Sequence, residues 1–561
     1  MKIAIAQIDP IVGAFDLNFE KIKKAYHEAL KSDADLMITP ELSLCGYPPL
    51  DLLVRPEIFQ RTQAILDQCL KLTEGQSCAL CVGHVTRNDS HDGRIAKNDI
   101  SVIENGKVSF RQSKRLLPTY DVFDEARYFE PGEQIEAWTF RGRKIAFGIC
   151  EDLWASDPTF KRRIYKDIDP VEEIERLKPE IIISISASPY QYLKKSARIS
   201  LHQKIAERVK APLIYINQSG STDEILFDGA SFAVDAHGKF AGRLPSFQTQ
   251  TSVVEISPDG EVKWHAENIR SQIIKDPMES LVKAIVSGMR DYFHRTGFEK
   301  AVIGLSGGID SALVAALAVK AFGPKNVIGI AMPGPYSSSH SIEDAQELGK
   351  QLGIHFRIKP IKFLFSTFKR ELSEASPNLS ELALENLQAR IRGILLMTVA
   401  NSESALTLVT SNKSELAVGY STLYGDMCGA IAPIGDIFKT RVFEMARWIN
   451  TNWGDWIPKR SIEKPPSAEL RPDQKDTDTL PPYSLLDQFL EAYLEENREV
   501  SDLEGKIEAQ GQKLDRETMN EVVRRIERSE FKRRQAAPVL RVSPRAFGIG
   551  RRIPIAKLWN A

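Results

Sequence analysis

The segment 301–317 joins a short apolar run to a helix-forming run through paired glycines, and it strongly constrains how this chain can fold. Residues 301–305 have the length and composition of a buried strand, and residues 309–317 favour a helix. Between them lie Ser306, Gly307 and Gly308, where a backbone without Cβ atoms can approach an anion closely. A strand, a glycine turn and a helix N-terminus aim main-chain N–H groups at one point. The sequence therefore predicts an α/β domain with a phosphate-binding loop.

This glycine loop lacks the Gly-Lys-Ser/Thr of kinase-type phosphate loops. It instead resembles the pyrophosphate loop of the N-type ATP pyrophosphatases, which cleave ATP between the α- and β-phosphates. Asp310 is then expected to bind Mg²⁺, because a hard cation that bridges phosphates takes carboxylate oxygens. The resemblance implies ATP binding by Gly304, Leu305, Ser306, Gly307, Gly308, Ile309, Asp310 and Ser311.

Length, charge and cysteine content exclude several classes of protein. The 561 residues are too many for one hydrophobic core, and they favour two to four domains. A net charge of −1 gives no general attraction to nucleic acid or to anionic membranes, so neither is an expected partner. No apolar run reaches the roughly 18 residues of a membrane span, and the N-terminal residues are typical of a short strand rather than a leader. Six cysteines in a chain of this length form no disulfide framework, which fits a reducing cytoplasm.

The first half, residues 1–265, alternates apolar strand patterns with amphipathic helix patterns. Helices are predicted over 19–31 and 57–72. Asn105-Gly106 between two alternating runs predicts a hairpin with a type I′ turn. Phe227-Asp228-Gly229 and Ala236-His237-Gly238 suggest two more hairpins. The predicted strands cover 3–8, 35–39, 79–85, 144–150, 181–187 and 212–217.

The second half forms another α/β domain. Residues 266–276 have the character of a connection, so the expected second domain covers 277–561 and opens with a helix over 277–295. Residues 460–482 carry five prolines and many charges, which predicts a mobile loop. Further strands are predicted over 326–332 and 405–411, and helices over 341–352 and 386–401.

Three reactive residues of the first half lie at or near the ends of predicted strands. Glu41 follows one apolar strand, Lys114 lies after another, and Cys150 ends a third. Ligand sites of open α/β sheets gather beyond the carboxyl ends of strands, so Glu41 and Cys150 could converge. Together the three side chains suffice for amide hydrolysis: the carboxylate activates the thiol, and the ammonium lowers the thiol pKa and stabilises the oxyanion.

The residues around these three resemble the catalytic motifs of the nitrilase superfamily. Pro40-Glu41-Leu42, Lys114 to Pro118 and Gly148 to Asp152 occur in the family's order, and residues 123–129 match the segment that carries a second glutamate. The resemblance implies a four-layer α-β-β-α sandwich. It also implies Glu41 as general base, Lys114 as stabiliser of the intermediate, Cys150 as nucleophile and Glu125 as accessory carboxylate.

An amidase ahead of an ATP pyrophosphatase suggests that ammonia is released and then added to an activated carboxylate. This pairing resembles the glutamine-dependent NAD⁺ synthetase family over almost the whole chain. The family's helix 385–393 and its loop 410–415 have counterparts here, as does its flexible lid segment at 465–483. Ala430 departs from the ammonia-only synthetases, which have aspartate there, so their contacts around 426–431 are not transferred. The resemblance implies ATP contacts at Thr410 and Lys439, and deamido-NAD⁺ contacts at Asn386, Glu415 and Lys532. For glutamine, the same family pattern points to Tyr120, Ser188 and Lys194.

The resemblance also implies a mechanism. Mg²⁺, held by Asp310 and Glu415, neutralises ATP oxygens while the nicotinate carboxylate of deamido-NAD⁺ attacks the α-phosphorus. Ammonia then attacks the acyl-adenylate, giving NAD⁺ and AMP. Ammonia is expected to travel along a shielded path, because near neutrality most of it in water is unreactive ammonium. The family further implies a homo-oligomer, up to an octamer.

Three alternatives remain open at this point. Another glutamine-dependent amidating ligase, such as a GMP or asparagine synthetase, would keep the phosphate loop, but those enzymes resemble other glutaminase types. A tRNA-thiolating pyrophosphatase needs a basic surface and paired reactive cysteines, whereas the second half has the single cysteine Cys428. A non-catalytic nucleotide sensor would have degenerate motifs, and here every motif retains its reactive atom.

Overall fold

The computed structural model describes residues 1–90, 92–155, 165, 168–264, 274–376, 378–472 and 474–558. They divide into two units, Met1–Ser280 and Leu281–Ala561. Residues 266–273 of the expected connection lie outside the described residues. The expected domain boundaries at 265 and 277 stay a prediction.

Strands and α-helices alternate over 2–87 and 143–217 of the first unit, and the other described strands follow one another without an α-helix between them. Its described helices are α1 (Phe15–Lys31), α2 (Pro56–Thr73), α3 (Pro170–Leu177) and α4 (Lys194–Val209). Its described strands are β1 (Lys2–Gln7), β2 (Leu36–Ile38), β3 (Ala79–Arg87), β4 (Ala96–Glu104), β5 (Lys107–Ser113), β6 (Ala137–Phe140), β7 (Arg143–Ile149), β8 (Ile181–Ser186), β9 (Leu213–Asn217), β10 (Ser219–Thr222), β11 (Ile225–Asp228), β12 (Phe232–Val234), β13 (Phe240–Arg243), β14 (Gln250–Ile256) and β15 (Val262–Trp264).

Two mixed sheets pack face to face in this unit. One has the order β15-β14-β1-β2-β3-β4-β5, and the other has the order β13-β12-β9-β8-β7-β6. Side chains of both sheets, such as Ile5 and Ile183, share one buried cluster between them. Helices α1 and α2 cover the outer face of the first sheet, and α3 and α4 cover that of the second. The predicted four-layer α-β-β-α sandwich is therefore confirmed.

The second unit is built on the parallel sheet β18-β17-β16-β19. Helix α5 (Pro277–Thr296) precedes its first strand, as the sequence predicts. The described strands are β16 (Lys300–Gly304), β17 (Val327–Ala331), β18 (His355–Ile358), β19 (Ala405–Thr407), β20 (Glu508–Ala509) and β21 (Gln512–Lys513). The other described helices are α6 (Ile309–Phe322), α7 (Ser339–Leu352), α8 (Lys362–Ala375), α9 (Glu381–Glu403), α10 (Lys413–Val418), α11 (Lys439–Trp453), α12 (Lys459–Glu463), α13 (Tyr483–Leu490), α14 (Val500–Leu503), α15 (Arg516–Arg528) and α16 (Glu530–Arg533).

Two of the three predicted hairpins are present. Asn105 and Gly106 both have positive φ between the antiparallel strands β4 and β5, as a type I′ turn requires. The turn at 235–239 joins β12 and β13. The hairpin predicted at Phe227-Asp228-Gly229 is wrong, because Phe227 and Asp228 belong to β11 and the turn lies at 223–224. In the described part of the chain, no helix is long and apolar enough to cross a membrane.

Candidate active sites

Glu41, Lys114 and Glu125 form one buried ionic group in the first unit. Glu41 lies in the turn that follows β2, Lys114 directly follows β5, and Glu125 begins a short 3₁₀ turn. The Lys114 ammonium donates to Glu41 Oε1 at 2.7 Å and to Glu125 Oε1 at 2.8 Å. All three side chains are buried, so two carboxylates share one cation away from water. The structure thus brings together three of the four predicted catalytic residues by direct hydrogen bonds.

Cys150 follows β7 with an unusual main-chain conformation. The predicted strand over 144–150 ends one residue early, because Cys150 has φ of +47° and begins a 3₁₀ turn. Asp152 stabilises this turn by accepting the N–H of Ile149 at 2.9 Å and the N–H of Leu116 at 2.8 Å. One carboxylate therefore ties the Cys150 turn to the segment that carries Lys114.

Burial and neighbouring charge set the resting protonation of this group. Burial raises the pKa of the Cys150 thiol well above its usual range, and the Glu41 carboxylate adds to this, while Lys114 opposes it. Burial also raises the pKa of Glu125 to about 7, against the effect of Lys114. Burial disfavours the Lys114 ammonium, but the carboxylates of Glu125 and Glu41 outweigh it and raise the pKa of Lys114. The thiol is protonated at rest, so a nucleophilic role requires a base.

Two contacts to Glu41 were missed from the sequence. Asn98 of β4 donates its side-chain N–H to Glu41 Oε1 at 2.8 Å, and the main-chain N–H of Ala187 donates to Glu41 Oε2 at 2.9 Å. Asn98 lies in β4 and Ala187 directly follows β8, both distant from Glu41 in sequence, so no local pattern could reveal the contacts.

The residues predicted to bind glutamine lie around the same turn. The Tyr120 hydroxyl donates to the Glu151 carboxylate at 2.8 Å, and the Lys194 ammonium lies 4.6 Å from the centre of the Trp154 ring. Ser188 follows Ala187 directly, and its N–H donates to Asn217 Oδ1 at 2.7 Å. These positions surround the Cys150 turn and the Glu41 carboxylate, whereas the binding roles stay predictions.

The second unit contains a cleft of about 310 Å³ at the carboxyl ends of its parallel strands. Gly307 is not among the described residues that line this cleft. Its φ is +78°, and a Cβ at this position would lie 2.3 Å from the Ser341 carbonyl oxygen. This glycine is required by the close approach of the loop to α7. The predicted residues that do line the cleft are Gly304, Leu305, Ser306, Gly308, Ile309, Asp310, Ser311, Thr410, Glu415 and Lys439.

Two carboxylates meet one ammonium in this cleft. Lys439 Nζ donates to Asp310 Oδ2 at 2.5 Å and to Glu415 Oε1 at 3.3 Å, and Asn412 Nδ2 donates to Asp310 Oδ1 at 2.9 Å. Burial, with smaller contributions from the charges of Asp310 and Asp476, raises the pKa of Glu415 to about 8 against the opposing effect of Lys439. The carboxylates of Asp310 and Glu415 are thus placed to bind a positively charged group. Asp476, which also lines the cleft, was missed because it lies in the polar segment predicted to be a loop.

Asn386 and Lys532 do not line the cleft. Asn386 Oδ1 accepts the Thr422 hydroxyl at 2.8 Å, and the Lys532 ammonium donates to the carbonyls of Gly419 and Ser421, each at 2.7 Å. Both side chains therefore hold the loop after α10. Their contact with a substrate stays a prediction.

The segment 460–482 makes specific polar contacts with the rest of the second unit. The Ser461 hydroxyl donates to the Gly307 carbonyl at 3.1 Å, and Lys464 Nζ donates to Ser341 Oγ at 3.0 Å. Glu469 accepts the Ser341 hydroxyl at 2.6 Å. The described residues of segment 460–482 therefore contact the phosphate loop and α7. The mobility of this segment stays a prediction.

Comparison with known proteins decides the family. Residues 2–266 match the carbon-nitrogen hydrolase family, and residues 281–536 match the NAD synthase family. The glutamine-dependent NAD⁺ synthetase of Synechocystis sp. is 44% identical over 563 residues, covering 100% of this chain and 99% of that protein. The glutamine-dependent NAD⁺ synthetase of Acinetobacter baylyi is 40% identical over 561 residues, covering 100% of this chain and 99% of that protein. The chain belongs to the glutamine-dependent NAD⁺ synthetases.

Solved structures agree with this assignment. The glutamine-dependent NAD⁺ synthetase of Acinetobacter baumannii, in complex with ADP, is 36% identical and superimposes with a TM-score of 0.76, covering 99% of this chain and 98% of that one. The Cytophaga hutchinsonii protein is 19% identical with a TM-score of 0.80, covering 100% and 98%, and it supports the fold alone. This chain is therefore a glutamine-hydrolysing carbon–nitrogen ligase that makes NAD⁺, and other acyl-adenylate amidations are set aside.

Proposed function

We propose that the first unit releases ammonia from glutamine through a thioester on Cys150. Glu41 accepts the thiol proton as Sγ attacks the amide carbon, and the Lys114 ammonium stabilises the oxyanion that forms. When the C–N bond breaks, Glu41 returns the proton to the leaving ammonia. Glu41 then deprotonates water, which hydrolyses the thioester to glutamate and restores the thiol. The shared hydrogen bonds of Lys114 to Glu41 and Glu125 support these roles.

Glutamine is held, in this proposal, by Tyr120, Ser188 and Lys194. Lys194 supplies a cation for the α-carboxylate of glutamine. The hydroxyl of Tyr120 is already oriented by Glu151, one residue from the nucleophile. Ser188 lies next to the Ala187 N–H that binds Glu41.

In the second unit, ATP occupies the cleft with its phosphates at the loop 304–311 and against Thr410 and Lys439. The residues present fit Mg²⁺: Asp310 and Glu415 offer carboxylate oxygens beside the phosphate loop, and Mg²⁺ commonly binds one or two carboxylates together with substrate phosphates. When bound, the ion neutralises phosphate oxygens. Lys439 binds both carboxylates and holds them toward the phosphates.

Deamido-NAD⁺ then reacts in two steps. Its nicotinate carboxylate oxygen attacks the α-phosphorus of ATP, and the bond to pyrophosphate breaks. Ammonia attacks the carbonyl carbon of the acyl-adenylate, loses a proton and displaces AMP, giving NAD⁺. The phosphate loop receives the pyrophosphate, and Asn386, Glu415 and Lys532 are the proposed contacts of deamido-NAD⁺.

The observation that carries this proposal is the pairing of a buried Glu41-Lys114-Glu125 group with a separate carboxylate-lined nucleotide cleft. The test supplies glutamine labelled with ¹⁵N in the side-chain amide, together with ATP, Mg²⁺ and deamido-NAD⁺. We expect equal amounts of AMP and NAD⁺, with the label in the carboxamide of NAD⁺. Release of ADP, or unlabelled NAD⁺, would contradict the proposal.

We also propose that the enzyme is a cytoplasmic homo-oligomer, up to an octamer. The support is the family resemblance, together with six free cysteines and no disulfide. Light scattering during size-exclusion chromatography tests the assembly, and a monomeric mass at micromolar concentration would contradict it.

A further inference from the structure

The Glu41 carboxylate is held by three donors from three different parts of the first unit. Oε1 accepts from Lys114 Nζ at 2.7 Å and from Asn98 Nδ2 at 2.8 Å. Oε2 accepts the Ala187 N–H at 2.9 Å. Because Lys114 also donates to Glu125, it does not by itself fix the rotation of the Glu41 carboxylate.

Asn98 contacts two catalytic residues at once. Its side chain binds Glu41, and its main-chain carbonyl accepts the N–H of Lys114 at 2.8 Å. It lies on β4, between β3 and β5 in the sheet, with Val85 as its partner on β3. A side chain mounted on an inner strand holds its partner more rigidly than one on a loop.

The chemistry of the amide fits this position. Asn98 is 1% exposed, and its Oδ1 has no hydrogen-bond partner within the described part of the chain. The reverse orientation of the amide would bring Oδ1 to 2.8 Å from a carboxylate oxygen, so Nδ2 must face Glu41. An amide supplies this donor without adding charge to a group that already holds Glu41, Glu125 and Lys114.

We propose that Asn98 is a positioning residue for glutamine hydrolysis. It orients the Glu41 carboxylate toward the thiol and fixes the main chain of Lys114, and it acts on Cys150 through these two residues. The inference rests on the proposed role of Glu41 as general base.

The first variant, Asn98→Ala, removes the donor. We expect kcat for glutamine hydrolysis to fall about 10- to 100-fold with little change in KM, since small misplacement of a catalytic group lowers rates on this scale. Ammonia-dependent NAD⁺ synthesis, which needs only the second unit, should stay within twofold of the wild-type rate. Asn18→Ala is the matched control: Asn18 is equally buried, but its side chain binds main-chain groups of Ile11 and Leu44.

The second variant, Asn98→Asp, keeps the shape and adds a carboxylate beside Glu41. The charged and titratable groups that already face Glu41 are Lys114, Glu125, Cys150 and Tyr47. A further carboxylate makes ionisation of Glu41 harder, so the acid limb of kcat/KM for glutamine should move upward by about one pH unit or more. A merely structural role would lower activity without moving this limb.

Wild-type glutaminase rates in Asn98→Ala, or an unmoved acid limb in Asn98→Asp, would overturn the inference. An equal loss in Asn18→Ala would do the same, because it would trace the effect to burial alone. Glu41→Gln distinguishes a failure of the proposed role of Glu41 from a failure of the inference about Asn98. If Glu41→Gln keeps the glutaminase activity, the role of Glu41 as base fails; if it is inactive while both Asn98 variants are normal, only the inference about Asn98 fails.

Discussion

At the scale of single residues, both sites place one lysine between two carboxylates. Lys114 binds Glu41 and Glu125, and Lys439 binds Asp310 and Glu415. Removing one member of a buried ionic group leaves its partner charge uncompensated, which typically costs several kcal/mol. Loss of activity in a variant at either site therefore needs a control that reports folding of the unit that carries the substitution.

Lys114→Ala tests the oxyanion role. Losing one stabiliser of the oxyanion typically raises the barrier by about 2.7–4 kcal/mol, or 10²–10³ in rate. We expect that loss in glutamine-dependent NAD⁺ synthesis, with ammonia-dependent synthesis retained. Release of glutamate, measured in the presence of all substrates, checks the first unit directly. An unchanged glutamate rate would remove Lys114 from the site.

Asp310→Asn tests the metal role on the other unit. The change keeps the size of the side chain and an acceptor for Asn412, but it removes the charge that Lys439 and the proposed Mg²⁺ need. We expect adenylation to fall sharply with either nitrogen source, while the first unit still cleaves glutamine. The measurement is pyrophosphate release in a single turnover with ATP and deamido-NAD⁺ and no nitrogen donor. Near-normal release would make Asp310 a structural residue only.

At the scale of elements, helix α4 buries a histidine against the second sheet. His202 donates its Nδ1–H to the Arg198 carbonyl oxygen at 2.8 Å and packs on the rings of Tyr215 and Phe232. Burial lowers its pKa to about 4, and the Arg198 charge adds to this. The native state therefore holds a neutral imidazole at pH values where the unfolded chain binds a proton.

This difference gives a stability prediction with a definite sign. Below the ordinary pKa of about 6.5 the unfolded chain gains a proton that the folded chain does not, so the first unit loses stability as the pH falls from 6.5 toward 4. By pH 5 the expected loss is about 2 kcal/mol from this group. The melting temperature of His202→Gln should differ less between pH 7 and pH 5 than that of the wild type. His27→Gln, at an exposed position on α1, should keep the wild-type difference. Equal pH dependence in all three proteins would contradict the assignment.

The elements themselves were largely predictable. Strands such as β1, β8 and β9, and helices α1 and α2, follow from apolar periodicity, which reports burial locally. The Asn105-Gly106 hairpin follows from turn chemistry. The turn at 223–224 was missed because Asp223 has positive φ without a glycine to signal it.

Site geometry was predictable only in part. Motifs indicated Glu41, Lys114 and Cys150, but they did not indicate the positive φ of Cys150. The contacts of Asn98 and Ala187 with Glu41 join segments that are far apart in sequence. The segment 460–482 has a loop-like composition, yet long-range hydrogen bonds attach its residues to α7. Such contacts leave no local periodicity.

At the scale of the whole molecule, ammonia links the two proposed reactions. In the proposed mechanism each unit carries its own reactive group, and the product of the first reaction is the nucleophile of the second. In water near neutrality most ammonia is protonated and unreactive. Delivery within one enzyme molecule would keep the local concentration high without any new contact.

A mixture of two inactive variants tests this coupling. Cys150→Ala lacks the proposed nucleophile but keeps the synthetase site, and Asp310→Asn keeps the glutaminase site but lacks the proposed metal ligand. If ammonia travels along a shielded path, a freshly prepared equimolar mixture should make NAD⁺ from glutamine at less than about a tenth of the wild-type rate, because the ammonia is diluted in solvent. Added ammonium should restore synthesis through the Cys150→Ala protein. Glutamate dehydrogenase supplied with 2-oxoglutarate and NADPH consumes free ammonia without making NAD⁺; it should suppress the mixture and leave the wild type almost unaffected. A mixture that matches the wild type, or a wild type that the scavenger inhibits equally, would show that ammonia passes through the solvent.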